Sequence, residues 1–518
     1  MLLNQPISPT PFKKWLWQDP ENKRLMQLSV SAIILSFILL KILYPYPNFM
    51  PPDSNSYLEA AYKNSFINIW PIGYSKFLRL FSSFTSSDVA LVCFQYLLFQ
   101  ASLLYFLFTF RYLLAPGKWL FRIILMGSVL NPLIPQISNF ISSDALFTAL
   151  SLTWFTQLFW ILYKPNLRLL VAHAIVLLLA FMVRYNALYY PIISIIIIAV
   201  APLRIGFKIT GVGTIVLLLS ALTARTEYSY YKDTKTIQFS AFGGWQIAAN
   251  ALYGYAHSTP DSPATVPARF RKLHTLVNRH MDSLSHMSFV LRPDYDVSIY
   301  YLWDFKSPLK LYLSQQHQRD SSISYFHQWA SVAPLYADYG QYLIKKHPVP
   351  FVRYYLWPNL IKYYAPPLGF MGSYNIGRDT INAIAARWFA WKNNKVHSYF
   401  KDKEIKITAP FPTLFAIFNL IYIIGFLFLL NLGGLNRYSS YNRYILWLTL
   451  VVWLSNMVFS VFSAPIELRY QIFPFLFTFS FDLFLLAFII EQSKVRQPGP
   501  AKYQQVSSTL SQWSIPHK

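Results

Sequence analysis

Charge is the scarcest feature of this 518-residue chain, since only 13% of its residues are Asp, Glu, Lys or Arg. A soluble domain carries about twice that share on its surface, so a water-soluble protein is excluded. A disordered chain is excluded as well, because 54% of the residues are hydrophobic and 18% are aromatic. The single cysteine, Cys93, rules out an intramolecular disulfide. The remaining class is a membrane protein with several spans.

Acidic residues are fewer than basic ones, 21 against 45, and the formal net charge is +24. A basic excess suits nucleic acid, anionic lipid or an anionic substrate. The apolar runs are longer than any soluble fold uses, which argues against nucleic acid. Nucleotide-binding glycine loops, HExxH and CxxC are all missing. His274, His280 and His286 follow at intervals of six, which does not stack side chains on one helix face, so they predict no metal site.

Ten apolar segments have the length of a membrane span. They cover residues 26–44, 88–110, 118–137, 143–163, 167–184, 186–203, 205–223, 409–431, 442–463 and 470–491. The sequence therefore predicts an all-α polytopic membrane protein of about ten transmembrane helices, with a large outward-facing domain between helices 7 and 8. Its parts are a cytoplasmic N-terminus (1–25), a seven-helix core (26–223) with a first outward loop (45–87), an extracytoplasmic domain (224–408), a three-helix segment (409–491) and a cytoplasmic tail (492–518).

Basic residues set the orientation, because cytoplasmic joins are enriched in Lys and Arg. They precede span 1 (Lys13 to Arg24) and follow span 10 (Lys494 and Arg496). They also fill every even-numbered join, with Arg111, Lys118, Arg122, Lys164, Arg168, Arg204, Lys208, Arg437 and Arg443. Both termini are then cytoplasmic, and the odd-numbered joins face outward. The first outward loop is aromatic and rich in proline, which predicts short helices lying at the interface.

Ionisable residues at the outward ends of spans are the candidates for function, because a charge near the bilayer is costly. Asp53 follows span 1 and either caps a helix or acts as a general base at the membrane surface. Glu59 lies six residues later. Lys76 and Arg79, at i and i+3, form either a phosphate clamp or a pair that reaches to the headgroups.

Three further groups lie at the ends of later spans. Asp144 begins span 4, where the helix dipole alone favours an acid. Arg184 and Asn186 follow span 5. Glu467 and Arg469 open span 10 together with Tyr470, and both are equally suited to purely structural ion pairs.

Four short motifs follow one another in a fixed order along roughly residues 26–490. D-x-x-x-Y-x-x-x-A, P-x-G-Y, R-x-N and E-x-R-Y are matched in turn by Asp53, Tyr57 and Ala61; Pro71, Gly73 and Tyr74; Arg184 and Asn186; and Glu467, Arg469 and Tyr470. In these motifs and in its seven spans followed by a large segment, the chain resembles membrane glycosyltransferases of the C-type fold. That superfamily includes protein O-mannosyltransferases and the lipid A aminoarabinose transferases.

The resemblance implies a polyprenyl-phosphate-linked sugar as donor and a glycan, lipid or protein as acceptor, on the outer face of a bacterial inner membrane. It implies Asp53 as the base, with Asp144 or Glu59 as a second acid. Family members often carry two adjacent acids where this chain has Asp53 and Ser54. Donor phosphate would be bound by Lys76, Arg79, Arg184 and Arg469, and the substrate pocket would include Tyr57, Tyr74, Asn186, Glu467 and Tyr470. A divalent metal is compatible with this chemistry.

A lipid or polysaccharide transporter is the alternative, because it too needs a basic cavity that reaches the membrane. Transporters place ionisable residues at the midplane and often have two repeated halves. This chain has its charges at outward ends and no internal repeat, so the sequence favours the transferase.

Overall fold

A computed structural model describes residues 10–317 and 324–496 of the chain, and within them the regular structure is helical, with three isolated bridges and no strand. The residues up to 234 form eleven α-helices. These are α1 (Phe12–Gln18), α2 (Pro20–Leu43), α3 (Asp53–Tyr62), α4 (Gly73–Ser82), α5 (Asp88–Leu114), α6 (Lys118–Val129), α7 (Leu133–Ser138), α8 (Asp144–Tyr163), α9 (Leu167–Val183), α10 (Tyr190–Val200) and α11 (Ile205–Thr234).

The segment after α11 contains shorter helices, and three long helices complete the described chain. The shorter ones are α12 (Ala241–Tyr255), α13 (Arg271–Ser285), α14 (Tyr300–Trp303), α15 (Pro308–His317), α16 (Tyr325–Ser331), α17 (Ala333–Lys346), α18 (Pro348–Phe351), α19 (Trp357–Tyr364) and α20 (Ala383–Trp388). The long ones are α21 (Phe411–Asn431), α22 (Ser440–Ser463) and α23 (Ile472–Arg496). The predicted tail at 492–518 thus begins inside α23, and residues 497–518 lie outside the described part.

Eight helical stretches are long and apolar enough to cross a membrane, so the chain is a multi-pass membrane protein. They are Pro20–Leu43, Asp88–Leu114, Lys118–Ser138, Asp144–Tyr163, Ile205–Thr234, Lys406–Asn431, Ser440–Ser463 and Leu468–Ser493. The fifth and sixth predicted spans are shorter apolar helices, Leu167–Val183 and Tyr185–Val200, below the about 20 residues that cross a hydrocarbon core. The seventh was predicted to end at 223, but α11 continues to Thr234.

Side-chain caps mark several helix starts. The Ser87 hydroxyl accepts from the Ala90 N–H at 3.2 Å at the start of α5, and Asn166 accepts from Leu169 at 3.0 Å at the start of α9.

The first outward loop forms the short helices α3 and α4, as its composition predicts.

Contacts between distant joins show that the joins alternate between two ends of the bundle. At one end Glu21 lies within 3.1–3.5 Å of Arg111, Lys118 and Arg122, so the start of α2 meets the α5–α6 join. At the other end Asn48, after α2, forms a bridge with Phe140, before α8. Each of these contacts brings together two segments for which the basic residues predict the same side.

The inserted segment, residues 235–408, belongs to two different cores. Residues 241–355 bury their own cluster, in which Trp245 and Trp329 stack with ring centroids 5.0 Å apart. Residues 363–405 pack instead on the core of the membrane helices. We call the first part, residues 241–355, the inserted domain. It adjoins the end of the bundle where α3, α8 and α23 begin, since Asn250 donates to the Phe462 and Ser463 carbonyls at the end of α22, both at 3.1 Å.

Candidate active site

Asp53 is the first residue of α3, directly after two prolines, and it makes no side-chain cap to that helix. Its side chain is only 11% exposed, and the carboxylate accepts a hydrogen bond from Arg469 Nη1 at 3.0 Å. A buried carboxylate that lacks a partner is strongly unfavourable, so this contact explains how the Asp53 side chain is tolerated here. Of the two interpretations open at the sequence level, helix capping is not what the carboxylate does.

Arg469 is the centre of the polar cluster. It lies in a 3-10 turn, Leu468–Gln471, that opens the last span. Its Nε donates to Glu467 Oε2 at 2.8 Å, and its Nη2 donates to Tyr470 Oη at 2.7 Å. Its Nη1 is also 3.6 Å from Asp144 Oδ2. Within the E-x-R-Y motif, the Arg469 guanidinium therefore orients the Glu467 carboxylate and the Tyr470 phenol. The same guanidinium also contacts Asp53 and Asp144 from other helices.

Asp144 and Arg184 form a second ion pair beside the first. Arg184 Nη1 donates to Asp144 Oδ1, and the Ser142 hydroxyl donates to Asp144 Oδ2 at 2.8 Å. The Arg184 guanidinium lies over the Tyr470 ring, 4.8 Å from its centroid, a cation–π contact that links the two pairs. Asp53 and Asp144 thus face the same guanidinium of Arg469.

The cluster holds three carboxylates against two guanidinium groups, so its formal charge is −1. The two cations differ in access: the side chain of Arg184 is 15% exposed and that of Arg469 only 6%. Arg184 is therefore the cation that an incoming anion reaches first.

A cavity of about 370 Å³ adjoins this cluster, within the range of about 300–1,000 Å³ that is usual for small-molecule sites. Most of the sequence-predicted residues line it: Asp53, Tyr57, Arg184, Asn186, Glu467, Arg469 and Tyr470. Asp144 lies behind them and borders a smaller void next to Arg184. The structure thus brings together these residues from three separate motifs.

Tyr57 follows Asp53 by one helical turn, and its hydroxyl is 3.0 Å from the Ser143 hydroxyl. Burial and, to a lesser extent, the Asp53 carboxylate raise the pKa of Tyr57 to about 12. The phenol therefore stays protonated at neutral pH and serves as a neutral hydrogen-bonding group.

Lys76, Arg79 and Glu59 do not line the cavity, contrary to their predicted roles. Lys76 donates to the side chain of Asn64 at 2.8 Å, and Arg79 donates to a backbone carbonyl at 3.3 Å. Glu59 pairs with Lys63 one turn along α3, 2.5 Å away, on an exposed face. Six residues on a helix amount to a rotation of about 240°, which carries Glu59 away from the face of Asp53.

Tyr74 is fully buried behind the cavity wall rather than on it. Its ring meets the Tyr57 ring edge-on with centroids 5.0 Å apart, and its hydroxyl donates to Gln95 at 2.7 Å. The neighbouring Gly73 has a packing role, because a Cβ there would lie 2.6 Å from the Met182 carbonyl. The P-x-G-Y motif therefore fits α4 against the end of α9, next to Arg184.

The remaining lining comes from residues that the sequence did not single out for the pocket. They include Trp70, Phe242, Gln246, Trp303 and Phe370. Beside Phe370, Gly369 adopts φ +53°, and a Cβ there would lie 2.7 Å from the Glu467 carboxyl carbon. Trp70 directly precedes the P-x-G-Y motif, but nothing in the local pattern marks the residues beyond 235 as its neighbours.

Within residues 10–317 and 324–496, no three His, Cys, Asp or Glu side chains are grouped so that they could hold a metal ion. No protein-family model, curated protein or solved structure matches this chain. The fold and the site define a polytopic α-helical membrane protein with an acid–base cluster and a cavity at one end of its bundle.

Proposed function

We propose that this protein is an inverting membrane glycosyltransferase, which moves a sugar from a polyprenyl-phosphate-linked donor to an acceptor on the outward side. The observation that carries the proposal is the placement of Asp53, a buried carboxylate held by Arg469 at the wall of a cavity that also exposes Arg184. A base and a phosphate-binding cation at one cavity are what such a transfer requires.

The two arginines take different roles in this proposal. Arg184, the more accessible, binds the donor phosphate and stabilises the charge that grows on it as the sugar leaves. Arg469 keeps the carboxylates of Asp53 and Glu467 oriented. This division follows from the contacts, since the three nitrogens of Arg469 are already engaged by neighbouring side chains.

In the reaction, Asp53 accepts the proton of an acceptor hydroxyl as that oxygen attacks the anomeric carbon. The new bond to the acceptor oxygen forms while the bond between the anomeric carbon and the phosphate oxygen breaks. The electron pair leaves with the polyprenyl phosphate. Attack from the face opposite the leaving group inverts the configuration. A positioned base of this kind contributes about 10²–10⁴-fold to the rate.

A lipid-linked donor suits the surroundings of the cavity. A narrow cleft shares Trp70, Pro71, Tyr185 and Phe239 with the cavity and continues between α9 and α11. Only 11% of the most apolar 18-residue stretch of α11 is buried, so this helix lies at the edge of the bundle. An isoprenoid chain could therefore approach from the lipid while its phosphate reaches Arg184.

Transport is supported less well. The described residues that line the cavity come from the inserted domain and from the end of the bundle where α3 and α23 begin, and none comes from the end that holds Glu21. A transporter needs a route to both faces. We place the cavity on the outer face of a bacterial inner membrane, following the basic joins of the opposite end.

The decisive experiment is a transfer assay on the full chain in lipid nanodiscs, with a panel of radiolabelled polyprenyl-phosphate sugars and an extract of bacterial envelope as acceptor. We expect release of polyprenyl phosphate and labelling of an acceptor from at least one donor. Parallel reactions with and without a chelator test whether transfer depends on a divalent metal. Failure of every donor, together with movement of labelled lipid across proteoliposomes, would favour the transporter.

A further inference from the structure

The cavity has two chemically different sides. The acids and cations all come from the membrane helices and their joins: Asp53, Arg184, Glu467 and Arg469. The inserted domain supplies another side, which in the described part of the chain has no charged residue. That side consists of Phe242, Gly243, Gln246, Ile247, Asn250, Ile299, Leu302 and Trp303.

Aromatic rings connect this neutral side to the helix of Asp53. The Trp70 ring lies 4.7 Å from the Phe242 ring and 5.9 Å from the Trp303 ring, measured between centroids. Trp70 also meets the ring of Tyr57 at 6.5 Å, and Tyr57 is one turn from Asp53 on α3. We call Trp70, Phe242 and Trp303 the aromatic wall.

The aromatic wall carries an unused hydrogen-bond donor. Trp70 Nε1 is buried and has no partner among the described residues, which is rare for an indole N–H. Gln246 adds an uncharged amide close by, with its Nε2 donating to Asn250 Oδ1 at 2.7 Å. The wall therefore combines flat apolar faces with neutral polar groups.

We propose that the aromatic wall is the acceptor subsite and that it binds a neutral sugar ring of the acceptor. The C–H face of a sugar ring carries partial positive charge and packs on the negative face of an aromatic ring. Its hydroxyls match the uncharged amide of Gln246, which lines the cavity. An anionic acceptor would meet no cation among the lining residues of this side, since Lys310, 4.9 Å from the Trp303 ring, is buried and does not line the cavity. A sugar stacked on Trp70 lies beside the helix that carries the base. This inference rests on the proposed function and specifies its acceptor.

Gly243 offers a way to fill the subsite without disturbing the fold. It lines the cavity in the first turn of α12, and a Cβ there would meet only Ser240, at 3.6 Å or more. A larger side chain at Gly243 therefore extends into the cavity. Gly213, on α11, is a matched control, because a Cβ there has nothing within 4 Å.

The test is saturation-transfer NMR on the full chain in nanodiscs, with maltose and N,N′-diacetylchitobiose as neutral sugar probes and farnesyl phosphate as an isoprenoid probe. We expect saturation of sugar ring protons in the unmodified chain. Gly243→Leu should weaken sugar binding about tenfold or more, and Gly213→Leu should leave it unchanged. Trp303→Leu should weaken it too, whereas Trp357→Leu, which changes an exposed tryptophan outside the cavity, should not.

Three results would overturn the subsite: no saturation of either sugar, equal sugar binding by Gly243→Leu and the unmodified chain, or loss of farnesyl phosphate binding alone in Gly243→Leu. The last would assign the wall to the donor chain. Because this readout needs no catalysis, sugar binding without any transfer would refute the proposed function and keep the subsite. Transfer that Gly243→Leu does not impair would refute the subsite and keep the function.

Discussion

Arg469 Nη1 lies 3.0 Å from Asp53 Oδ2, although the two residues are 416 positions apart in the chain. The contact joins the turn before the last span to the short helix after the first span. It makes the position of a buried carboxylate depend on a residue at the far end of the sequence.

Asp53→Asn should lower sugar transfer by about 10²–10⁴-fold, because the amide cannot accept the hydroxyl proton. Its shape is preserved, so expression and membrane insertion should stay normal. Glu59→Gln is the matched control on the same helix and should transfer at the normal rate, since Glu59 is exposed and paired with Lys63. Near-normal transfer by Asp53→Asn would remove Asp53 from the mechanism.

Arg469→Met should destabilise the protein by about 3–5 kcal/mol, because it leaves the buried Asp53 and the half-buried Glu467 without their cation. Arg184→Met should lower the free energy of unfolding by less, since Asp144 keeps the hydrogen bond from Ser142 and still lies near the Arg469 guanidinium. Thermal unfolding of the purified chain in detergent measures both. Equal losses would show that the two ion pairs do not differ as the contacts indicate.

The apparent KM for the lipid-linked donor should distinguish Arg184 from Lys76 and Arg79. Arg184→Met should raise the apparent KM for the lipid-linked donor, because it removes the cation most accessible from the cavity. Lys76→Met and Arg79→Met should leave that KM unchanged. Lys76 donates instead to the Asn64 side chain, and Arg79 donates to the Tyr62 carbonyl. The check is steady-state kinetics with varied donor. A strong KM effect of Lys76→Met would return Lys76 to the phosphate site.

The adjacent glycines Gly243 and Gly244 should respond to alanine with opposite signs. A Cβ on Gly244 would lie 2.1 Å from the Ala333 carbonyl oxygen, so Gly244→Ala should destabilise the inserted domain by about 1–3 kcal/mol. A Cβ on Gly243 meets no such obstacle, and Gly243→Ala should stabilise α12 by about 0.5–1 kcal/mol through helix propensity. Unfolding midpoints of the two variants should move apart; a common direction would contradict the packing of α12 on α17.

Lys310 should make stability depend on pH in the alkaline range. It is 6% exposed among Trp245, Trp303 and Tyr325, and burial lowers its pKa from 10.5 to about 8. Between these values the unfolded chain binds the proton more tightly, so stability should rise as pH increases from about 8 toward 10. Lys310→Met should flatten this rise in the unfolding midpoint. A slope that persists in the variant would assign it to another group.

The membrane class could be predicted from the sequence because hydropathy over about 20 residues reports directly on insertion into lipid. The motif order also selected Asp53, Arg184, Glu467 and Arg469, which the structure brings to one cavity. Lys76 and Arg79 could not be excluded in this way. Their distance from the site depends on how α4 packs, and local charge spacing carries no information about that.

By itself, the sequence determined a multi-pass helical protein whose joins alternate between two ends, because apolar length and basic flanks are local properties of the chain. Only the tertiary structure decided that Arg469 is the partner of Asp53 and that Arg184 faces the cavity. It also decided that the inserted domain contributes a neutral aromatic wall. These relations depend on packing between segments hundreds of residues apart, which no local pattern of residues records.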